Sequence, residues 1–237
     1  ILGRPNVGKS SFLNVLLGTD RSIVTDVAGT TRDAIHSRYK MYGKDFILID
    51  TAGIRKKSKV HEDVEFYSVL RSLKALEESD VCIVLVDAER GLESQDVNII
   101  VLAHKQSKGI VIMVNKWDLV EKDSKTADKF KKDILEKLAP IDYIPMVFAS
   151  VLTKQRIFQV IEKAVTVFNN KTKRVATSEL NDAMLPEIAH YPPPALKGKL
   201  IQIKYITQIK AKSPAFAFFC NLPQYIQPSY TRFLENR

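Results

Sequence analysis

The stretch Gly3-Arg4-Pro5-Asn6-Val7-Gly8-Lys9-Ser10 decides how this chain folds. It fits G-x-x-x-x-G-K-[ST] and stands between a strand end at Ile1-Leu2 and a helix expected over residues 11–17. Such glycines let the backbone curl until its N–H groups face one point, and the helix N-terminus adds positive potential there. The ligand so defined is a phosphate. Lys9 is placed to reach the β- and γ-phosphates of a nucleotide, and the Ser10 hydroxyl to ligate Mg²⁺.

Outward from this loop, strand-sized apolar runs alternate with helix-length segments. Residues 46–50, 81–87, 110–115 and 144–150 are short and mostly apolar, as strands buried on both faces should be. Helices are expected over 63–78, 94–108, 124–138 and 157–169. This rhythm predicts an α/β fold, a mostly parallel sheet with helices on both faces. Residues 39–41 and 46–49, joined across Gly43-Lys44-Asp45, read instead as a hairpin, an antiparallel edge. The opening Ile1-Leu2-Gly3 reads as the last residues of a strand whose start lies in a preceding segment.

Three further motifs fall at strand ends. Asp50-Thr51-Ala52-Gly53 closes the run 46–50, where Asp50 can hold Mg²⁺ through water and the Gly53 N–H can sense a γ-phosphate. Asn115-Lys116-Trp117-Asp118 closes the run 110–115, at the carboxyl edge where such sheets bind ligands. A carboxylate at Asp118 accepts both guanine N1–H and N2–H₂, a donor pair adenine lacks. Lys116 can lie over the base, and Asn115 can tie its loop to the phosphate loop. Ala149-Ser150-Val151 ends the last strand, with backbone N–H groups that can meet guanine O6. Four such motifs in this order predict a guanine nucleotide site.

Between the first two lies Ala28-Gly29-Thr30-Thr31-Arg32-Asp33, a loop that can bring a threonine onto the metal only when the γ-phosphate is present. The set resembles the translation-factor-related branch of P-loop GTPases, in which Thr31 would be the metal-contacting threonine. Gly-Arg-Pro-Asn-Val-Gly-Lys-Ser-Ser, Ala-Gly-Thr-Thr-Arg-Asp, Asp-Thr-Ala-Gly-Ile-Arg-Lys-Lys and Asn-Lys-Trp-Asp together resemble the second GTPase domain of the EngA family of bacterial double GTPases. Ile203-Lys204-Tyr205, Pro214-Ala-Phe-Ala-Phe-Phe-Cys-Asn221 and Tyr230-Thr-Arg232-Phe-Leu-Glu-Asn236 resemble that family's KH-like C-terminal domain.

The resemblance implies GTP/GDP and magnesium as ligands. Nucleotide contacts then fall on Gly3, Asn6, Val7, Gly8, Lys9, Ser10, Ser11, Asp50, Gly53, Asn115, Lys116, Asp118, Ser150 and Val151. Lys9, Thr31 and Gly53 would serve hydrolysis, and Ser10, Thr31 and Asp50 the metal. It also implies a cytoplasmic factor in assembly of the large ribosomal subunit, with that subunit or its precursor rRNA as partner and a first GTPase domain missing from this chain. Two departures stand out: Val151 where the family usually carries Ala, and Lys154 at a common Gly. The chain also stops short of the family's usual last strand.

Ile54 follows Gly53, where many signalling GTPases carry a water-orienting Gln, so the missing stabilisation must come from elsewhere. Asn6 is a candidate ligand for a monovalent cation beside the phosphates, K⁺ in GTPases that resemble this one. Its amide could equally satisfy the loop backbone. Arg55-Lys56-Lys57 and Lys59 read as a surface charge run, or as a contact made in only one nucleotide state.

The 237 residues carry a net charge of +9 and 45% apolar content, enough for a packed core and too apolar for a disordered chain. No apolar run approaches the roughly 18 residues of a membrane helix, so no membrane role is expected. Cys82 and Cys220 lack metal or disulfide spacing, and His36, His61, His104 and His190 form no ligand set. Two domains are expected, 1–170 and 171–237. The smaller holds ten Lys/Arg against four acids, a net +6 that fits a polyanion partner.

In that tail a helix is expected over 178–189, strands over 200–207 and 214–221, and a helix over 228–236. It has no glycine after Gly198, hence no GXXG loop of the kind by which KH domains clamp nucleic acid. The run 216–220 reads as core strand rather than a base-stacking platform, leaving RNA contact to Lys197, Lys199, Lys210 and Lys212. Two other functions stay open: an RNA-binding scaffold with GTP as a structural ligand, and a GTPase coupled to tRNA modification.

Overall fold

The computed structural model describes residues 1–18, 25–27, 36–41, 43–49, 75–196, 198–211 and 213–235. The chain divides into two compact units, Ile1–Phe168 and Asn169–Arg237.

The first unit is organised by a parallel sheet. Strands β4 (Val81–Asp87), β5 (Gly109–Asn115) and β6 (Met146–Phe148) pair in that order. Their register runs from Val81 opposite Gly109 to Asp87 opposite Asn115, so β4 and β5 end level with each other. Leu2 joins β4 in a parallel bridge to Val84, donating to Ile83 O and accepting from Leu85 N. Strand residues alternate between two cores, as a pleat requires. Cys82, Val84, Val86, Ile110, Ile112 and Val114 face one, together with Ile100 and Ala103 of α2 (Ser94–Lys105) and Ile134 and Leu138 of α3 (Thr126–Leu138). Ile83, Leu85, Val111 and Met113 face the other, against Phe12 and Leu16 of α1 (Lys9–Leu17) and Ile157, Val160 and Ile161 of α4 (Ile157–Thr172). Burial on both sides is why these strands read as unbroken apolar runs.

The antiparallel part is larger than the expected hairpin. β1 (Thr25–Val27), β2 (His36–Met41) and β3 (Lys44–Leu48) form a three-stranded sheet in that order, with Met41 opposite Lys44. Gly43, just ahead of β3, lies at φ +69°. The polar sequence of residues 25–27 carries no strand signal and is recruited by pairing with β2. The run 144–150 yields a strand of only three residues, because Ile141 and Ile144 are buried ahead of it without joining the ladder.

The second unit contains α5 (Thr177–His190), an antiparallel pair β7 (Ile203–Ile209) and β8 (Ala215–Cys220), and α6 (Pro228–Glu235). Ile188, Ile203, Ile206 and Tyr230 are its buried centre, and Tyr230 donates its hydroxyl hydrogen to Tyr191 O at 2.8 Å. Asn181 blunts the free edge of β7, its side chain bonding both N–H and C=O of Ile206 at 2.8 and 2.7 Å. The first strand starts later than residue 200 because Asn221 binds Leu200 O and Gln202 N instead.

Candidate nucleotide site

The phosphate loop takes the curled form its glycines allow. Gly3 and Gly8 sit at φ +137° and +99°, and a Cβ would lie 2.5 Å from Leu85 O at the first and 2.3 Å from Asn115 Nδ2 at the second. Asn6 also occupies left-handed space, at φ +63°. It is exposed, and among the described residues its amide makes no hydrogen bond with the loop backbone. Lys9 opens α1 and folds back over the loop, donating to Gly3 O at 2.7 Å and Arg4 O at 2.6 Å. Burial lowers the pKa of its ammonium, against the opposing pull of Asp96. Ser10 and Ser11 follow, both exposed in the first turn of α1. Val7 is buried and presents its carbonyl to the next loop.

That next loop comes from the end of β5. Asn115 is buried; its Nδ2 donates to Val7 O at 2.8 Å and its Oδ1 accepts from the Val151 N–H at 3.0 Å. Three segments distant in sequence are thus tied through one side chain. Lys116 adopts φ +62°, and its ammonium meets Asp87 Oδ2 at 2.5 Å. Burial works to raise the Asp87 pKa, but the Lys116 ammonium, the Glu89 N–H and Arg4 together hold it below the usual carboxylate range. Trp117 turns inward, edge-on to Phe130 and 4.4 Å from Phe148 between ring centroids. With Trp117 as anchor, Asp118 carries one oxygen, Oδ1, that is buried and has no hydrogen-bond partner. A buried carboxylate oxygen without a donor is costly unless a ligand supplies one. Guanine N1–H and N2–H₂ are donors of the right kind.

Ser150 and Val151 follow β6, and their N–H groups have partners within the chain. The Ser150 N–H donates to Gln155 O at 3.2 Å and the Val151 N–H to Asn115 Oδ1. Both N–H groups are engaged in holding the loop and Asn115. Lys154 lies at φ +58°, a left-handed position that glycine occupies without strain.

Arg4 and Asp96 were not singled out from the sequence, yet they brace the phosphate loop. The Arg4 guanidinium is buried, with Nε on Asp96 Oδ2 at 2.7 Å, a second nitrogen on Gly91 O at 3.1 Å and a third on Glu93. Asp96 is fully buried, and burial raises its pKa despite Arg4 and the Glu93 N–H it accepts. Asp87 was likewise missed; its only sequence signal is an acid ending β4 level with Asn115. Thr31, Asp50 and Gly53, along with Ile54 and the basic run 55–59, lie outside the described residues. Of the three expected magnesium ligands, Ser10 alone lies among the described residues, and its hydroxyl on the exposed first turn of α1 suits that duty. A cavity of about 560 Å³, lined by Ile1, Phe46, Leu48, Val81 and Ile161 among others, lies at the opposite end of β4 from these loops. Its apolar walls carry none of this chemistry.

A phosphate loop after Leu2, an Asn-Lys-x-Asp loop after β5 and helices on both sheet faces define the fold of a P-loop GTPase. Comparison with known proteins agrees. Residues 1–116 match the family described as 50S ribosome-binding GTPase, and residues 174–237 the KH-domain-like C-terminal family of EngA bacterial GTPases. The chain is 65% identical over all 237 residues to GTPase Der of Cytophaga hutchinsonii and 62% to that of Amoebophilus asiaticus, covering 54% and 55% of those proteins. It thus spans about half the length of the curated relatives it matches. Among solved structures, a variant of Aquifex aeolicus Era bound to GDP and aluminium fluoride superposes with a TM-score of 0.52 at 28% identity, covering 71% of this chain and 54% of that one. Era in complex with MgGDPNP and a segment of 16S ribosomal RNA shares the fold at 22% identity, with a TM-score of 0.53 over 99% of this chain and 83% of that one. The chain belongs to the EngA (Der) family of GTPases. Among the described residues no helix is long and apolar enough to cross a membrane.

Proposed function

We propose that the chain binds GTP with magnesium, hydrolyses it, and uses the nucleotide state to gate contact with the large ribosomal subunit or its precursor rRNA. The observation that carries the guanine assignment is Asp118 Oδ1, buried and partnerless beside Lys116. Lys9 would neutralise the β- and γ-phosphates, and the loop N–H groups before α1 would cradle them. Ser10, Thr31 and Asp50 would hold the metal, which supplies charge neutralisation at the phosphates. Gly53 would report the γ-phosphate, and Asn6, exposed in the loop, would offer its amide oxygen to K⁺. The basic tail, the family description and the Der relatives support a ribosomal partner. In the longer protein the first GTPase domain would lie on the same chain.

The decisive test combines calorimetry and co-sedimentation. GTP should bind with magnesium while ATP does not, and Lys9→Ala should abolish multiple-turnover hydrolysis. Binding to ribosomal subunits should then depend on which nucleotide is present and weaken with salt. ATP and GTP binding alike would end the reading.

A further inference from the structure

The run 216–220 does not behave as a single core strand. Alternation along β8 sends Phe218 and Cys220 against the buried centre and leaves Phe219 on the other side, 43% exposed. Directly across the ladder stands Tyr205, 44% exposed. The two rings are parallel, with centroids 4.3 Å apart and planes 7° from each other. Ile209, two pleat steps along β7 from Tyr205, is 49% exposed on the same face. The face of β7 and β8 away from Ile203 and Ile206 therefore presents a ready-made aromatic stack to solvent.

The sequence that supplies this face carries charge of one sign. From residue 188 to residue 234 there are six basic side chains, Lys197, Lys199, Lys204, Lys210, Lys212 and Arg232, and no acidic one. Lys204 adjoins Tyr205 at the irregularity in the β7 register, and Lys210 follows Ile209; both are exposed. A protein partner recognised through apolar contact would not require the absence of every carboxylate over 47 residues. A polyanion with flat apolar faces does.

We propose that the Tyr205–Phe219 stack is a platform for unpaired nucleobases, with Lys204 and Lys210 beside it holding the phosphates of single-stranded RNA. Each ring has one face against the other and each residue remains more than two-fifths exposed, so a base would extend the stack from an exposed ring. Recognition is by stacking and charge, hence tolerant of sequence, and it needs no glycine-rich clamp. The inference rests on the rRNA partner proposed above and adds the surface and the mode by which this unit would meet it.

The test uses full-length protein and fluorescent oligoadenylate and oligouridylate of about 12 nucleotides, with a duplex of the same length as comparator. Tyr205→Leu and Phe219→Leu keep an apolar side chain at each exposed site, so folding should persist, checked by thermal melting. Each should weaken single-strand binding about tenfold, leaving the salt slope and GTP affinity unchanged, while Tyr205→Trp should retain binding. Duplex should bind wild type more weakly, and the leucine variants should not alter that. Single-strand affinity unchanged in both variants, with wild type still binding ribosomal subunits, would overturn the platform and spare the ribosomal reading. So would leucine variants that change only the oligomeric state, which would mark a protein interface. No binding of wild type to any RNA or subunit at low salt would remove the ribosomal reading and the platform with it.

Discussion

The Arg4 guanidinium and the Asp96 carboxylate meet at 2.7 Å, both side chains buried. Arg4 belongs to the phosphate loop and Asp96 to the first turn of α2, so one buried pair fixes where the loop sits on the sheet. Removing one partner of a buried pair leaves an uncompensated charge, costing about 3–5 kcal/mol. Arg4→Met should therefore lower thermal stability sharply and weaken GTP binding. The double variant Arg4→Met with Asp96→Leu should recover much of the stability by eliminating both charges. If the double variant melts no higher than the single one, the pair is not the brace described.

Asp118→Asn replaces an acceptor-only group with an amide that must point one donor at a donor. Charge-assisted bonds to guanine N1–H and N2–H₂ are each about 1.5–3 kcal/mol, so GTP affinity should fall at least a hundredfold. Xanthosine triphosphate carries a carbonyl where guanine has its amino group, and should bind the variant better than GTP does. Titration calorimetry with both nucleotides checks this.

Gly8→Ala meets two obstacles at once: φ of +99° and a Cβ position 2.3 Å from Asn115 Nδ2. The strain alone is of order 1–3 kcal/mol. Relief requires Asn115 to leave Val7 O, so nucleotide binding should be lost even in protein that remains folded. A melting curve shifted down by several degrees, with no GTP heat in calorimetry, is the expected result.

Burial lowers the Lys9 pKa below 10.5, whereas a bound triphosphate would favour the ammonium and raise it again. Because the folded-state pKa is depressed for a base, free-protein stability rises as pH climbs through that lowered value toward 10.5. GTP affinity moves the other way, falling with rising pH, with proton uptake on binding. Lys9→Arg cannot lose its proton in this range, so it should flatten that limb and leave only the titration of guanine itself. Binding heats in buffers of different ionisation enthalpy would expose the uptake or its absence.

Hydrolysis should run faster in KCl than in NaCl, and Asn6→Ala should erase the difference while leaving GDP affinity largely intact. Steady-state phosphate release in the two salts decides the matter; equal rates for the wild type would exclude Asn6 as a cation ligand.

Much of the site was legible because its parts are local. The glycines of the phosphate loop, the helix after it, and the Asn-Lys-x-Asp loop at a strand end each state their geometry within a few residues, and runs such as Val81–Asp87 announce burial on both faces. The tie from Asn115 to Val7 was readable too, since both motifs end at the same sheet edge. Short-range chemistry and strand periodicity determined the fold class and carry the proposed choice of base. Tertiary structure alone decided which distant charges met. Arg4 with Asp96, and Lys116 with Asp87, are 92 and 29 residues apart, and no local pattern marks them as partners. It also decided which aromatic of Phe216–Phe219 faced the core, because a single bulge in β7 resets the register and only the assembled pleat says which side is covered.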